Sequence, residues 1–203
     1  KGGMHSKRSQ DNPFDIFLSE EETTYGLDDI LSSIQKAKEN ENIKGIYLQA
    51  GSMGIGFASL EEIRKALADF KTSGKFVVAY GDQYSQRLYY LASVADKVLL
   101  NPQGAIGWYG LASTPTFYKD LLSKIGVEMQ VFKVGTYKSA VEPFISTEMS
   151  PANREQVTVF LDGIWGQMLS DISESRGVSK EKLNEAADKM LMFYPANDCV
   201  EYG

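Results

Sequence analysis

One lysine in an apolar, turn-forming segment is the strongest candidate for chemistry in this sequence. Lys138 lies in "VFKVGTYKSAVEPF" (131–144), between Tyr137 and Ser139. A preceding buried strand and the following turn are expected to enclose it with apolar side chains: Val131, Phe132, Val134, Ala140, Val141 and Phe144. Burial can lower a lysine pKa from about 10.4 by roughly 3–5 units, and the neutral amine can take a proton from a serine hydroxyl. The segment therefore predicts a general base, although from spacing alone a snorkelling lysine paired with Glu142 is the more ordinary alternative.

Other side chains able to act as nucleophiles or metal ligands are scarce. The chain has one cysteine, Cys199, and one histidine, His5. A structural zinc site needs about four Cys or His ligands, and a serine–histidine–acid triad needs a positioned imidazole, whereas His5 lies in a polar amino-terminal stretch. Cys199 has no imidazole partner and is predicted to be an ordinary thiol. The sequence therefore predicts neither a zinc site nor a histidine-dependent triad.

Two further segments follow predicted strands. "GSMGIG" (51–56) has the spacing of neither dinucleotide-binding nor P-loop motifs, so a tight turn is favoured, with backbone N–H groups converging on a carbonyl oxygen or an anion as the alternative. In "YGDQYSQRLYYLAS" (80–93), Ser85 stands at a predicted helix start. A helix-capping role is favoured over a nucleophilic one, because serine is a preferred capping residue.

Composition limits the classes of function. The 203 residues are 43% hydrophobic and carry a formal net charge of −6, without a long basic tract, so nucleic acid is not an expected partner. No apolar run approaches the roughly 20 residues that span a bilayer, and none resembles a signal peptide. The chain begins "KGGMHSKRSQ". Since this start lacks an initiator methionine, we expect a piece of a longer protein from which a targeting segment has been left out.

Strand and helix patterns alternate along most of the chain. Strands are predicted at 43–49, 75–81, 97–101 and 127–134, helices over 27–34, 60–70, 85–95 and 117–125, and turns at 50–58 and 102–110. Strands that alternate with helices of this length favour parallel pairing through right-handed crossovers. An α/β fold is therefore expected.

Two helices are predicted after the lysine segment. The first begins at Ser150–Pro151, ends before Gly177 and carries a wide apolar stripe: Val157, Phe160, Leu161, Ile164, Trp165, Met168, Leu169 and Ile172. Packing within its own domain is favoured for this stripe, with an interface to another subunit or domain as the alternative. A short polar helix over 179–189 follows. The expected organisation is a polar arm at 1–20, disordered or added in cloning, and a single domain at 21–203 with helices at its carboxy-terminal end.

Several segments together resemble one protein family. They lie between residues 27 and 177: "YGDQYSQRLYYLAS", "LLNPQG", "FYKDLLSKIGVEMQVF", "FKVGTYKSAVEPF" and "MSPANREQ". This set resembles the amino-terminal half of the long type of bacterial signal peptide peptidase A. That family is similar in fold to the ClpP/crotonase superfamily, which implies a fold of repeated strand–strand–helix units here.

The resemblance implies a serine endopeptidase with a serine–lysine dyad. Lys138 corresponds to the family's catalytic lysine, with Tyr137 and Ser139 as possible supporting residues. The family's serine lies in a carboxy-terminal domain that is absent here, and the corresponding position falls at Gln86, or at Ser85 with a one-residue shift in alignment. This chain alone is therefore expected to be inactive and to lack the partner domain that should cover the lysine.

The remaining expectations also come from the resemblance. The whole protein would degrade cleaved signal peptides, which are apolar, and would form a homo-oligomer. A segment outside this chain would anchor it to the inner membrane of a bacterial envelope, with the catalytic domain outside the cytoplasm. Neither a metal nor an organic cofactor is implied. Two alternatives stay open: a non-catalytic scaffold or oligomerisation domain, and a crotonase-like enzyme that binds acyl-CoA.

Overall fold

The computed structural model describes residues 4–5, 25–51, 53–132, 135 and 138–202. The chain forms two compact units, one comprising Lys1–Tyr109 and Met168–Gly203 and the other Gly110–Gln167. Apart from Met4 and His5, the predicted arm at 1–20 lies outside the described residues. The boundary between that arm and a domain starting at residue 21 stays a prediction.

Parallel strands form the framework of the first unit. A two-residue pair, β1 (Met4–His5) with β2 (Tyr25–Gly26), precedes a three-stranded parallel sheet in the order β3–β4–β5. The sheet strands and the helices between them are β3 (Gly45–Gln49), α2 (Phe57–Lys71), β4 (Phe76–Tyr84), α3 (Gln86–Ala92) and β5 (Lys97–Ile106), with α1 (Leu27–Glu39) before them. The α/β fold with a parallel sheet, expected from the sequence pattern, is confirmed.

The core of this unit lies between α2, α3 and one face of the sheet. Helix α2 buries Leu60, Leu67 and Phe70 on the stripe that the sequence predicts, and β4 buries Val77 and Ala79 toward the helices. Apolar residues at helical spacing and at alternate strand positions thus meet in one layer.

Strands β4 and β5 extend beyond their predicted ends. Their register continues past an irregularity at Gly81 and Gln83 to Tyr84, which pairs with Ile106. The predicted turn at 102–110 is therefore wrong over 102–106. Pro102 is compatible with this strand because β5 is at an edge of the sheet, where a missing N–H breaks no ladder on its outer side.

The second unit is mainly helical in its described residues. It contains α4 (Lys119–Lys124), α5 (Glu142–Ile145) and the first part of α6 (Pro151–Arg176). The predicted strand at 127–134 is wrong over 127–132, which has no strand structure, and residues 133 and 134 lie outside the described residues. An alternating apolar pattern forms a strand only when a neighbouring strand supplies hydrogen bonds, and 127–132 has no such ladder.

The carboxy-terminal helices begin and end where the sequence predicts. Helix α6 is followed by α7 (Lys180–Asp188) and by 3₁₀ segments at Leu191–Phe193 and Ala196–Tyr202. The apolar stripe of α6 is buried at Met168, Leu169 and Ile172, whereas Phe160 is 65% exposed. None of the helices in the described part of the chain has the length and apolar content needed to cross a bilayer.

Candidate active site

Lys138 lies in the second unit and is exposed. The apolar enclosure predicted for it is wrong, because Phe132 is 97% exposed, Phe144 is 40% exposed and Ala140 is also at the surface. Residues 127–132 do not form the strand that was expected to bring apolar side chains around the lysine. The described residues leave Lys138 exposed, and its cover by another domain stays a prediction.

The structure describes only one of the two residues beside Lys138. Tyr137 lies outside the described residues. Ser139 is half-buried, and its main-chain carbonyl oxygen accepts a hydrogen bond from the Glu142 N–H at 2.9 Å, in the turn that leads into α5. The supporting roles suggested for these two side chains stay predictions.

A buried carboxylate four residues after Lys138 anchors this segment. Glu142 is 3% exposed, and its Oε1 accepts a hydrogen bond from the Ser150 hydroxyl at 2.6 Å. Its Oε2 accepts from Asn153 Nδ2 at 3.0 Å and from the Ser150 N–H at 3.2 Å. Ser150 Oγ in turn accepts from the Asn153 N–H at 3.2 Å. Glu142 therefore ties the lysine segment to the start of α6.

Helix α5 is held from a second side by the residue that precedes α4. The Tyr118 N–H donates to the Pro143 carbonyl oxygen at 2.6 Å, and the Tyr118 and Phe144 rings stack with centroids 6.0 Å apart. Neither this support nor the Glu142 network was predicted. The available signal was one acidic residue among apolar ones in "AVEPF", followed by the helix-start motif "SPAN".

In the first unit, Ser85 caps α3 as predicted. Its hydroxyl oxygen accepts a hydrogen bond from the Leu88 N–H at 3.3 Å, and its backbone has the extended conformation typical of a capping residue.

Gln86, one of the two positions that the resemblance aligns with the family's nucleophile, is buried. Its side chain is 4% exposed, and its Oε1 accepts a hydrogen bond from the Tyr109 N–H at 3.1 Å. The Gly107 N–H donates to the Tyr84 carbonyl oxygen at 2.7 Å beside it. The amide of Gln86 thus joins the start of α3 to the segment after β5, and an amide cannot act as the attacking group.

Arg87 fixes the glycine-rich turn that follows β3. Its guanidinium donates to the Ile55 carbonyl oxygen at 3.1 Å and lies 4.8 Å from the centroid of the Phe57 ring. The described residues of 50–56 form neither helix nor strand, in agreement with the turn predicted at 50–58, whereas residues 57 and 58 already belong to α2. Sequence reasoning missed this contact. The available signal was a glycine run followed by an aromatic residue, Phe57, together with an arginine, Arg87, at the start of the helix predicted over 85–95.

The other candidate nucleophile is unsuited to attack. Cys199 is 8% exposed, and burial raises the pKa of its thiol. A thiol is far less nucleophilic than a thiolate. The described residues contain no group of three or more His, Cys, Asp or Glu side chains that could hold a metal ion, and the side chain of His5 lies outside them.

Comparison with known proteins gives consistent matches. The model of a family described as "Peptidase family S49" matches residues 69–203. Protease 4 of Salmonella typhi is 44% identical over 166 residues, which are 81% of this chain and 27% of that protein. The chloroplastic serine protease SPPA of Arabidopsis thaliana is 32% identical over 155 residues, 76% of this chain and 23% of that protein. The chain thus spans about a quarter of the length of these relatives.

A solved structure was also matched. An enoyl-CoA hydratase from Shewanella pealeana superimposes with a TM-score of 0.28 and 11% identity, covering 86% of this chain and 75% of the hydratase. A TM-score this low supports no inference about the function of this chain.

Proposed function

The chain belongs to peptidase family S49, and from this premise we propose that it is the lysine-contributing part of a serine endopeptidase that degrades cleaved signal peptides. The observation that carries the proposal is the exposed Lys138 in "GTYKSAVEPF", directly before the anchored helix α5. The family match agrees with the resemblance drawn from the motifs. The serine would come from a part of the protein outside these 203 residues.

The proposed chemistry needs the neutral form of the lysine. Lys138 Nζ accepts the proton of the serine hydroxyl while the serine oxygen attacks the scissile carbonyl carbon, and it then donates that proton to the leaving amine. An ammonium has no lone pair with which to accept a proton, so the whole protein must remove water from around Lys138. The domain that brings the serine is the proposed source of that cover.

The contacts of Ser85 and Gln86 in the first unit support the proposal that the base and the nucleophile lie in different domains. In the favoured alignment Gln86 takes the position of the nucleophile, and it is hydrogen-bonded to Tyr109. An amide cannot attack a peptide carbonyl, and the oxygen of neighbouring Ser85 accepts the hydrogen bond that caps α3. The chain is therefore proposed to supply the base and to leave nucleophilic attack to another domain.

Partners and location follow from the same proposal. Substrates are extended apolar peptides, and the partners are the carboxy-terminal domain of the same protein and further copies in a homo-oligomer. The whole protein is placed in the bacterial envelope, anchored in the inner membrane by a segment outside this chain, with its catalytic part outside the cytoplasm.

The test replaces Lys138 in the whole protein by alanine and by arginine and measures the rate constant of acylation with an apolar peptide ester. Both variants are expected to lose nearly all acylation, because arginine keeps the charge but cannot act as a base near neutral pH. Lys124→Ala and Lys124→Arg, at another exposed lysine of the second unit, are matched controls that should retain it. Thermal melts of all four variants check that a loss of acylation is not caused by unfolding.

The alternatives give different results in the same experiment. Normal peptide turnover by the alanine variant would identify the chain as a scaffold or oligomerisation domain. Near-normal acylation by the arginine variant would show that positive charge is required and basicity is not. Saturable binding of acyl-CoA, with no peptide hydrolysis by the unsubstituted protein, would favour the acyl-CoA enzyme.

A further inference from the structure

Strand β3 is hydrogen-bonded on one side only within the described residues. It lies at an edge of the sheet, with β4 as its neighbour. The Lys44 carbonyl oxygen accepts a hydrogen bond from the Phe76 N–H at 3.3 Å, and the Ala50 N–H donates to the Tyr80 carbonyl oxygen at 2.8 Å. The ladder between these two bonds stays in register, so the backbone groups of the even-numbered residues over 44–50 point toward β4.

Three residues of β3 direct both of their backbone groups to the outside of the sheet. Because the direction alternates along a strand, the N–H and C=O groups of Gly45, Tyr47 and Gln49 point away from β4. None of these six groups is hydrogen-bonded to a residue that the structure describes. They form a row of three donors and three acceptors, which is what a further strand uses to join a sheet.

The two edges of the sheet differ in how they are protected. Natural sheets protect an outer edge with charged side chains, with proline or with a covering segment. At the β5 edge, Lys97 is exposed, Pro102 lacks an N–H, and the 3₁₀ segments that follow α7 lie against the strand. The sequence of β3, "GIYLQ", contains neither a charge nor a proline. The β3 edge therefore has the composition of a strand inside a sheet.

Side-chain burial also stops short at β3. Val77 and Ala79 of β4 are 0% and 1% exposed beneath the helices. Ile46 and Leu48, which are their partners in the register, are only half-buried. On the opposite face of the sheet, Tyr47 is 60% exposed. The apolar core is thus complete at β4 and incomplete at β3.

Helix α1 has an apolar stripe that is equally incomplete. None of its residues is fully buried, and the four large apolar residues of the stripe are half-buried: Leu27, Ile30, Leu31 and Ile34. Lys38 Nζ lies 2.7 Å from Asp69 Oδ1 of α2, and the two helices pack side by side in one layer. A strand at the outer edge of β3 would place its helix-facing side chains under this layer and extend the core toward the stripe.

We propose that a further strand of the same protein, from outside these 203 residues, pairs with the outer edge of β3. It exchanges backbone hydrogen bonds with Gly45, Tyr47 and Gln49, and its apolar side chains alternate so that one set faces the helices. Backbone pairing and side-chain burial are completed by the same strand. The pairing does not depend on the catalytic role proposed for Lys138.

A strand of the same protein is favoured over a separate molecule as the occupant. The chain spans about a quarter of the length of its relatives, so most of a protein of that length lies outside it. A tethered segment reaches millimolar effective concentrations when its linker is short, far above those of a second copy or a peptide in solution. It also keeps the edge covered, whereas a substrate peptide would leave an apolar edge open to aggregation between turnovers.

Hydrogen exchange of the whole protein, resolved to single residues by mass spectrometry, tests the pairing. The amides of Gly45, Tyr47 and Gln49 are expected to exchange within about tenfold of the rates of Ile46 and Leu48, whose N–H groups point toward β4. Rapid exchange of the three outward amides beside protected Ile46 and Leu48 would overturn the proposal. Protection that appears only at high protein concentration would identify a second copy as the occupant, and protection that requires added peptide would identify a substrate. Either result would also overturn it.

Photo-cross-linking identifies the strand. Tyr47 of the whole protein is replaced by the photoreactive residue p-benzoylphenylalanine, and the cross-linked peptides are mapped by mass spectrometry. The expected cross-link joins Tyr47 to a segment of the same polypeptide outside these 203 residues. The same replacement at Phe193, which is 74% exposed in a 3₁₀ segment beside β5, is the matched control and should not reach that segment. Cross-links from position 47 only to another polypeptide, or only to residues within this chain, would contradict the proposal.

Discussion

At the scale of single residues, the lysine segment depends on a carboxylate that the sequence motif does not single out. Lys138 was identified because its neighbours match a known motif. Glu142 was considered only as an ion-pair partner for that lysine, whereas its carboxylate binds Ser150 and Asn153. Whether an acidic residue is buried depends on the packing of the surrounding loops, and spacing along the chain does not describe that packing.

Replacing Glu142 should therefore affect both stability and catalysis. We expect Glu142→Ala to destabilise the protein by about 2–4 kcal/mol, because it leaves the Ser150 and Asn153 donors without their acceptor. Glu142→Gln keeps one acceptor oxygen and should lose less. In the whole protein kcat should fall more than KM rises, since the displaced group is the proposed base. Denaturant unfolding and peptide hydrolysis measure the two effects.

The matched control is Glu148→Ala, at an exposed glutamate in the same unit. It should leave stability unchanged within about 0.5 kcal/mol. A Glu142→Ala variant as stable and as active as this control would show that the network does not position Lys138.

At the scale of elements, the sequence predicts the existence of strands and helices better than their ends. The α2 stripe and the limits of α6 follow from apolar spacing and from terminal Pro and Gly residues. The end of β5 could not be predicted, because "NPQG" is typical of a turn and its strand conformation depends on pairing with β4. The segment 127–132 shows the reverse case. Its alternating apolar residues predict a strand, but no neighbouring strand pairs with it and it does not form one.

Gly104 tests the close approach between β4 and β5. A Cβ at this position would lie 2.1 Å from the Asp82 carbonyl oxygen, so Gly104→Ala requires the backbone to move. We expect it to destabilise the protein by about 2 kcal/mol or more, as for overpacking elsewhere. Gly163→Ala in α6 meets nothing within 4 Å, and it should stabilise by about 0.5–1 kcal/mol through helix propensity. Thermal unfolding of both variants checks this contrast, which equal melting temperatures would contradict.

Asp96, just before β5, should make stability depend on acidic pH. Partial burial opposes its ionisation, but hydrogen bonds from the Val77 N–H at 2.8 Å and from Lys71 at 2.9 Å hold its pKa below the ordinary value. Because the folded pKa is lowered, the stabilisation is complete above the unfolded value of about 3.9 and is lost as pH falls through the folded pKa. Asp96→Asn should remove this part of the pH dependence, as measured by denaturant unfolding between about pH 6 and 2.

Lys71→Ala provides a second variant for the same measurement. It removes a partner that favours the ionised carboxylate, so the pH-dependent loss of stability should be smaller and should be complete at a higher pH than in the parent protein. If the two profiles coincided, the lysine would have no effect on Asp96.

At the scale of the whole molecule, the sequence identifies the family but leaves the cover of its apolar surfaces undetermined. The second unit exposes many large apolar side chains, among them Leu121, Ile125, Phe132, Val159 and Phe160. An apolar pattern shows which residues favour burial, whereas the neighbour that buries them can lie in another chain or domain. The candidate site follows the same rule, since the motif points to Lys138 but does not describe the residues that surround it.

The last prediction concerns the activity of the chain by itself. We expect the 203 residues alone to show no hydrolysis of apolar peptide esters or amides, because the proposed nucleophile lies outside this chain and Lys138 is exposed. In the whole protein, Ser85→Ala should retain turnover and lose only the capping hydrogen bond, about 1 kcal/mol of stability, whereas Lys138→Ala should lose turnover. The measurement is steady-state hydrolysis by the isolated chain and by the two whole-protein variants, with melting temperatures recorded alongside. Activity of the isolated chain that disappears with Ser85→Ala would make Ser85 the nucleophile and would place a complete catalytic site within this chain.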